Sequence, residues 1–298
     1  MNKETIAQWF QSLQDDICHG LESVDGKASF QEDRWDRKQG GGGRSRVISN
    51  GAVFEKGGVN FSAVHGPTPE KVTKALGLAP ADFFATGVSI VIHPNHPWVP
   101  IIHMNVRYFE MSSGTYWFGG GIDLTPHYII PHDAAYFHRA LRDVCDSFDG
   151  DYYPRFKQWA DDYFFIKHRE ETRGVGGIFF DHLQGSTDAE KQELWEFVQA
   201  VGQCFLPTYS TLVHRNREKP YDENERQWQL LRRGRYVEFN LVYDKGTKFG
   251  LDTNGRTESI LMSLPPTVQW EYNHQPESKS PEGKTLASLK KNINWIDA

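Results

Sequence analysis

The sequence predicts an α+β fold, in which helices pack on the faces of a large, mostly antiparallel β-sheet. Segments between residues 46 and 118 alternate apolar and polar side chains, which is the pattern of half-buried strands. Most gaps between these segments are too short for crossover helices, so neighbouring strands should pair antiparallel. Segments with an apolar period of three to four residues precede and follow the strands, and these predict the helices.

The N-terminal half is predicted to contain one helix followed by the strands. An amphipathic helix should begin near Lys3, because apolar residues recur every three or four positions as far as Leu21. Gly40–Gly43 should form a loop, since four glycines are entropically costly in a helix or strand. As an alternative, Arg44 and Arg46 would make this loop a flap over an anionic ligand. The predicted strands are Arg46–Ser49, Ala52–Glu55, Val59–Val64, Gly87–His93, Ile101–Met111 and Thr115–Phe118.

The C-terminal half is predicted to be mainly helical. Asp133 is the expected N-cap of one helix, and Pro207 should kink or split a later one. The predicted helical segments are Ala134–Phe148, Tyr152–Arg173, Ala189–Asn216, Asn224–Arg233 and a turn at Thr257–Leu264. Further strands are predicted at Ile178–Asp181, Tyr236–Tyr243 and Val268–Tyr272. The polar tail, about residues 275–298, should fray, and residues 1–298 are predicted to form one domain because no linker divides them.

Composition argues against several classes of protein. The formal net charge is −6, which does not favour a nucleic-acid-binding surface. The widely separated Cys18, Cys145 and Cys204 form neither a disulfide framework nor a cysteine zinc motif, so a reducing, cytoplasmic location is expected. The N-terminus lacks the pattern of a signal peptide, and no apolar run is long enough to span a membrane.

The segment Ile101–Met111 carries an aligned set of polar side chains. On an alternating strand His103, Asn105 and Arg107 share one face, while the residues between them face the core. If the preceding strand pairs with this one, His93 at its end lies near His103. A fixed charge on a buried strand face needs a partner or a ligand, so Arg107 is a candidate binding residue.

Two other segments carry candidate site residues. In WFGGGIDLTP, three glycines precede Asp123 and would let the backbone approach a flat ligand closely. Asp123 would either anchor a ring N–H of that ligand or cap the turn before Pro126. Further along the chain, Arg235, Arg256 and the Asn254–Gly255 turn can present donors to carboxylates.

Four histidines raise the question of a metal site. His138 and His168 lie in predicted helices and, together with His93 and His103, would make a four-histidine site. Their spacing matches no specific zinc or iron motif, and each alone is more often a structural histidine. The residues therefore leave metal binding open.

These segments together resemble the oxygen-dependent coproporphyrinogen III oxidase family, over nearly the whole chain as far as Trp270. In chain order the motifs are GGGGRSRV, GVNFSAVHG, GVSIVIHPNHP, HMNVRYFE, WFGGGIDLTP, FFIKHRE, GGIFFD, RRGRYVEFNLVYDKGT and GRTESILMSLPP. The resemblance implies a flat antiparallel sheet between helices. It also implies oxidative decarboxylation of two propionates of coproporphyrinogen III to vinyl groups, giving protoporphyrinogen IX, with O2 as co-substrate and no organic cofactor.

The resemblance also implies roles for particular residues. His103 matches the proton donor, and Arg107 and Asp123 match the guanidinium and carboxylate placed against the substrate. The implied substrate-binding residues are Ser89, Asn105, Val106, Arg107, Asn254, Gly255 and Arg256. The implied ligands of a divalent metal are His93, His103, His138 and His168. Whether catalysis needs that metal stays open, and Tyr236–Glu271 resembles the family's homodimerisation region.

Two positions depart from the family pattern. His96 stands where the pattern has asparagine, and His127 stands where an aromatic residue is common, so neither is assigned to the site. Two other functions are compatible with the residues alone: a metal-dependent oxygenase that uses the histidines to activate oxygen, and a non-catalytic tetrapyrrole carrier.

Overall fold

The fold, seen in a computed structural model that describes residues 1–68, 73, 79–252 and 255–297, centres on one large β-sheet. Seven strands pair in the order β1-β2-β3-β4-β5-β6-β9, and every neighbouring pair is antiparallel. Their bounds are β1 Gln31–Asp36, β2 Gly41–Ser49, β3 Phe54–Pro67, β4 Asp82–Pro94, β5 Ile101–Met111, β6 Tyr116–Thr125 and β9 Gly176–Leu183. Two short strands, β7 Phe165–Ile166 and β8 Glu171–Thr172, form a separate hairpin. The predicted α+β fold is confirmed.

Eight helices surround the sheet in the described part of the chain. They are α1 Lys3–Asp25, α2 Pro131–Asp146, α3 Tyr152–Tyr163, α4 Asp188–Asn216, α5 Glu223–Val242, α6 Lys245–Asp252, α7 Thr257–Leu261 and α8 Pro281–Ser288. The start of α1 at Lys3 and the helical turn at α7 are as predicted. Pro207 does not split α4, and Asp133 lies inside the first turn of α2, whose N-cap is Ile130.

The two faces of the sheet differ in chemistry. One face carries large apolar side chains, such as Ile90, Met104 and Ile122, which pack against α1 and α4 in the main hydrophobic core. On the other face, Val91 and Ile101 form a smaller apolar cluster with Tyr236 of α5. Helices therefore cover both faces, and the main core lies on one of them.

The loop predicted at Gly40–Gly43 is wrong, because β2 begins at Gly41 and pairs on both sides. Gly41 has a φ of 79° and its missing Cβ would lie 2.2 Å from the Ala63 carbonyl oxygen, so the close approach of β3 requires glycine there. The flap alternative is also wrong. Arg44 is buried against α1, where it donates to Gln14 and Asp15, and Arg46 pairs with Asp15 and Glu32.

Three further predictions near the C-terminus are wrong. The strand predicted at Tyr236–Tyr243 belongs to α5, because burial of Tyr236, Phe239 and Asn240 on one helix face outweighs their alternating pattern. No strand forms at Val268–Tyr272. The helix predicted over Tyr152–Arg173 ends at Tyr163, where the β7–β8 hairpin takes over.

The described part of the polar tail packs against the molecule instead of fraying. Tyr128 donates to Glu282 of α8 at 2.5 Å, and Trp295 is buried in the main core. The Leu289 carbonyl accepts from the Thr172 backbone N–H at 3.0 Å, so the tail also binds the β7–β8 hairpin. Among the residues that the structure describes, no helix combines the length and apolar character needed to cross a membrane.

Candidate active site

The polar face of the sheet presents three parallel rows of side chains, each crossing β2 to β6. We call these rows the polar floor. The first row is Val47, Gly58, Val91, His103 and Asp123; the second is Ser45, Asn60, Ser89, Asn105 and Gly121; the third is Gly43, Ser62, Gly87, Arg107 and Gly119. At the usual strand dimensions the rows cover about 14 Å along the strands and about 19 Å across them.

Small residues dominate the polar floor, so little stands above the backbone in its centre. Ser62, Gly87, Ser89, Asn105 and Arg107 are all partly exposed, which leaves the centre accessible. The aligned polar face predicted for β5 is confirmed, because the alternate residues of the strand belong to the opposite, apolar face. The side chain of Val106 is fully buried on that apolar face, so it does not reach the polar floor.

His103 and Asp123 form a direct polar contact at one end of the floor. They are cross-strand partners on β5 and β6, and the His103 Nδ1 lies 2.7 Å from Asp123 Oδ1. An ionised carboxylate only accepts, so Nδ1 carries the proton and a neutral ring keeps its other nitrogen, Nε2, as an acceptor. The His103 side chain is 24 % exposed and Asp123 is 3 % exposed. Asp123 therefore lies behind His103, and a bound molecule would meet the histidine first.

Arg173 completes a three-residue chain. Its Nη2 donates to Asp123 Oδ2 at 2.7 Å, and its Nη1 donates to Asn240 Oδ1 at 2.9 Å. The guanidinium is buried among three aromatic rings, with its Cζ between 4.3 and 4.7 Å from the centroids of Phe164, Tyr236 and Phe239. Such contacts favour a desolvated cation.

The partners of Asp123 keep it charged. Burial alone would raise the pKa of Asp123, but the Arg173 guanidinium and the His103 hydrogen bond outweigh burial and hold the pKa below its ordinary value. Asp123 can therefore fix the orientation of the His103 ring through its Nδ1–H. The direct contact between Asp123 and a ligand N–H that the sequence suggested is not what this arrangement favours, because both carboxylate oxygens already have partners.

Arg107 lies in the third row and is held from two sides. Its Nη1 donates to Asn105 Oδ1 at 2.7 Å, and its Nη2 lies 2.9 Å from Asp181 Oδ2. The side chain is 34 % exposed, so its remaining N–H groups can reach a ligand on the polar floor.

The opposite side of the polar floor is covered by α7 and the residues around it. Asn60 donates to the Ser259 carbonyl at 2.7 Å, and the Ser45 and Ser259 hydroxyls are 2.8 Å apart. Arg256 precedes α7, where it donates to the Ser259 hydroxyl and pairs with Asp33 of β1. A second guanidinium thus borders the polar floor at a distance from Arg107. Gly255 is described beside Arg256, whereas Asn254 lies outside the described residues.

The four predicted metal ligands are bound to separate partners. His93 contacts the Ser263 carbonyl at 2.8 Å, and His138 contacts the Tyr153 hydroxyl and the Val175 carbonyl, each at 2.9 Å. His168 lies 2.9 Å from the Tyr243 hydroxyl and 2.8 Å from Glu238. Burial lowers the pKa of His93 to about 3 and that of His138 to about 4, so both rings are neutral.

This arrangement does not fit a shared metal. Within the described residues, no three His, Cys, Asp or Glu side chains are grouped so that they could hold an ion. His103 is already bound through Nδ1 to Asp123, and both ring nitrogens of His138 and of His168 have hydrogen-bond partners. A four-histidine site would require these rings to leave their partners.

Several residues of this region were missed from the sequence. Arg173 fell within a predicted helix, and Asp181 ended a predicted strand with no charged neighbour to mark it. Asp244 follows α5, accepts from the Tyr163 hydroxyl at 2.7 Å and is close enough to His103 for that ring to affect its pKa. Burial would raise the pKa of Asp244, but bonds from Tyr163 and Thr247 outweigh burial and lower it. Each of these residues belongs to the site only through contacts with residues distant in sequence, so local sequence patterns could not reveal it.

A comparison with known protein families identifies the family of the chain. A family model described as coproporphyrinogen III oxidase matches residues 5–295, almost the whole chain.

The chain belongs to the coproporphyrinogen III oxidase family.

It is an oxidoreductase of haem biosynthesis. Coproporphyrinogen III oxidase converts propionate side chains of coproporphyrinogen III to vinyl groups by oxidative decarboxylation, with O2 as electron acceptor. The fold prediction and this family assignment from the sequence are both confirmed. The roles of individual residues in this coproporphyrinogen III oxidase stay predictions.

Replacing Asp123 with asparagine should lower both turnover and stability. The amide oxygen could still accept from Arg173, but the buried guanidinium would lose its counter-charge, and the His103 Nδ1–H would lose its charged acceptor. We expect kcat to fall at least about a hundredfold, the lower end of what positioned acid–base groups contribute. Steady-state assays and thermal melting would measure both effects. Asp133→Asn is the matched control, because Asp133 is also a buried acid with amide and guanidinium partners but lies on α2. Asp123→Asn with wild-type kcat would contradict the role of Asp123.

Proposed function

We propose that the polar floor binds coproporphyrinogen III face-on, with His103 as its proton donor and Arg107 and Arg256 as its carboxylate-binding residues. The observation that carries this proposal is the combination of an open floor of small side chains with guanidinium groups on two sides. A reduced macrocycle with four propionates needs a broad surface and cations near its periphery. Arginine suits the carboxylates because its planar fork can donate two parallel hydrogen bonds.

The middle row of the floor supplies neutral hydrogen-bonding groups beneath the substrate. Ser89 and Asn105 are cross-strand partners in its centre, and Gly121 follows on β6. The Asn105 oxygen already accepts from Arg107, so its amide N–H groups point to other acceptors. We assign no side-chain role to Val106, and Gly255 extends the floor beside Arg256.

The reaction at each propionate can be written so that atoms and electrons balance. A hydrogen leaves the β-carbon with two electrons, and O2 accepts both to become a hydroperoxide anion. The bond to the carboxylate then breaks, CO2 leaves, and that electron pair forms the vinyl double bond. One proton converts the hydroperoxide anion to hydrogen peroxide. We assign this proton to His103, because Asp123, itself held by Arg173, fixes the ring in place on the polar floor.

No step of this scheme uses a metal ion. The four histidines that the family resemblance implies as ligands lie with separate partners, and the described donor groups do not assemble a site. The proposal therefore treats His93 and His138 as structural residues and places the chemistry on His103 and on O2.

Two features support a homodimer and a cytoplasmic location. Large exposed apolar side chains concentrate in or beside the predicted interface Tyr236–Glu271: Leu241, Val242, Phe249, Leu251, Trp270 and Tyr272. A concentration of large exposed apolar side chains in one segment is typical of protein interfaces. All three cysteines are unpaired, which fits a reducing compartment. Recovery of the protein in a cytosolic fraction would support the location.

Arg107→Ala should weaken substrate binding. Because the Arg107 side chain is partly exposed, we expect a loss of about 1.5 kcal/mol, or about tenfold in KM. Arg107→Lys should recover part of it, since lysine keeps the charge but not the fork. The measurement is vinyl product formed in air across substrate concentrations, with an anaerobic reaction as the blank. Arg142→Ala, an exposed arginine on α2, is the control. An unchanged KM in Arg107→Ala would place this arginine outside the binding site.

Removal of metal ions should leave the activity intact. After treatment with a strong chelator and desalting, kcat should stay within about twofold, because no histidine cluster in the described part of the chain awaits an ion. In the same assay His103→Ala should be much slower than His138→Ala, since His138 bonds only to Tyr153 and a backbone carbonyl. Complete loss on chelation, reversed by one equivalent of a divalent metal, would refute this view.

Leu241→Asp should disrupt the dimer. The wild-type protein should sediment at twice the monomer mass of 34.2 kDa, and a charge in the apolar surface should shift it toward monomer. Analytical ultracentrifugation over a concentration series would measure this shift. Tyr221→Asp is the matched control, because Tyr221 is 48 % exposed but lies outside the predicted interface. A wild-type monomer, or equal effects of both substitutions, would argue against this interface.

A further inference from the structure

Strand β9 is irregular where it passes the polar floor. Phe118 pairs with Leu183 and Gly120 pairs with Phe180, so Asp181 and His182 together stand opposite the single residue Gly119. Two residues opposite one is the definition of a β-bulge, a device that re-aims side chains. His182 has a φ of 53°, in the left-handed region that non-glycine residues seldom adopt.

The bulge is held in place by contacts of its own. The His182 ring stacks on Trp117 with a centroid distance of 4.8 Å, and Trp117 stacks on Phe109 at 4.2 Å. The His182 backbone N–H donates to Asp181 Oδ1 at 3.0 Å. This bond fixes one carboxylate oxygen and leaves Oδ2 to point along the sheet.

That second oxygen meets Arg107. Asp181 Oδ2 lies 2.9 Å from Arg107 Nη2, and the contact passes over Gly119. A Cβ on Gly119 would lie 2.5 Å from Asp181 Oδ1 and 2.8 Å from Arg107 Nη2, so a side chain there would push the two groups apart. Glycine at 119 therefore leaves the space in which the ion pair forms.

We propose that Asp181 is a positioning residue for carboxylate recognition, aimed at Arg107 by the bulge. Asp181 forms an ion pair with Nη2 of the guanidinium, and Asn105 accepts a hydrogen bond from Nη1, so the plane of the fork is fixed from two sides. The donors that remain are held ready for a substrate carboxylate, and less side-chain freedom is lost when that carboxylate binds. This inference rests on the proposed binding of a propionate by Arg107.

Two independent substitutions test the inference. Asp181→Asn removes the charge, and Gly119→Ala separates the pair by contact while both charged side chains stay unchanged in sequence. Both should raise KM for coproporphyrinogen III by about three- to fivefold, the range of a partly exposed ion pair, with a smaller change in kcat. Asp181→Glu keeps the charge and should recover part of the loss. Asp162→Asn, which removes an exposed acid paired with Lys291, is the control and should behave as wild type.

A double-mutant cycle separates this inference from the proposed function. In the Arg107→Ala background, Asp181→Asn should add almost nothing, because its target is gone. If Arg107→Ala itself leaves KM unchanged, the proposed carboxylate site is wrong. If Arg107→Ala raises KM but Asp181→Asn leaves it unchanged or lowers it, only the positioning role is wrong, and a lowered KM would mark Asp181 as a competitor of the substrate. Thermal melting shows whether each variant is folded. If Gly119→Ala does not fold, the result for Asp181→Asn decides the test.

Discussion

The buried carboxylate of Asp123 is the constraint on which the rest of the site depends. A charge removed from water is strongly unfavourable unless it is paired and fully hydrogen-bonded. Asp123 meets that condition only because Arg173 comes from the segment after β8, and Arg173 in turn donates to Asn240 and lies among three aromatic rings. One acid on β6 thus couples the sheet, the β7–β8 hairpin and α5. The orientation of His103 follows from that coupling.

The two faces of the sheet have different roles: one supplies packing, and the other carries the candidate active site. Its apolar face packs large side chains against α1 and α4, and burial there supplies most of the hydrophobic stabilisation. The polar floor gives up that stabilisation, because glycine and serine bury little apolar area. A fold with one fully packed face can accept a second face whose centre is polar and partly exposed. The ion pairs and small apolar clusters at the edges of the floor then secure the elements that surround it.

The alternating pattern of β5 was sufficient to predict that His103, Asn105 and Arg107 share a face, because strand geometry alone fixes it. The same logic failed at Tyr236–Tyr243, whose alternation is typical of a strand but whose burial follows a helix. The glycines at 40–43 suggested a loop because glycine is entropically costly in a strand. Their role in the fold is to allow close contact between β2 and β3, and no local sequence pattern reveals that contact. Arg173 could not have been predicted as part of the site, since its partners Asp123 and Asn240 are distant in sequence. The four predicted metal ligands failed for the opposite reason. Their residue type suggested a shared metal site, but in the described contacts each histidine has separate partners.

The attachment of the C-terminal segment to the β7–β8 hairpin has a consequence for biosynthesis. Strands β1 to β6 pair with their neighbours in chain order, so hairpin after hairpin can form while the ribosome is still translating. The hairpin that presents Arg173 receives its backbone partner from Leu289, which is translated long after it. Since chains fold progressively from the N-terminus during synthesis, the floor precedes the group that neutralises Asp123. Until Arg173 is in place, the nascent protein carries Asp123 without its charge partner on β6, which is the edge strand of the sheet before β9 joins, and the last backbone partner of the hairpin arrives only with Leu289.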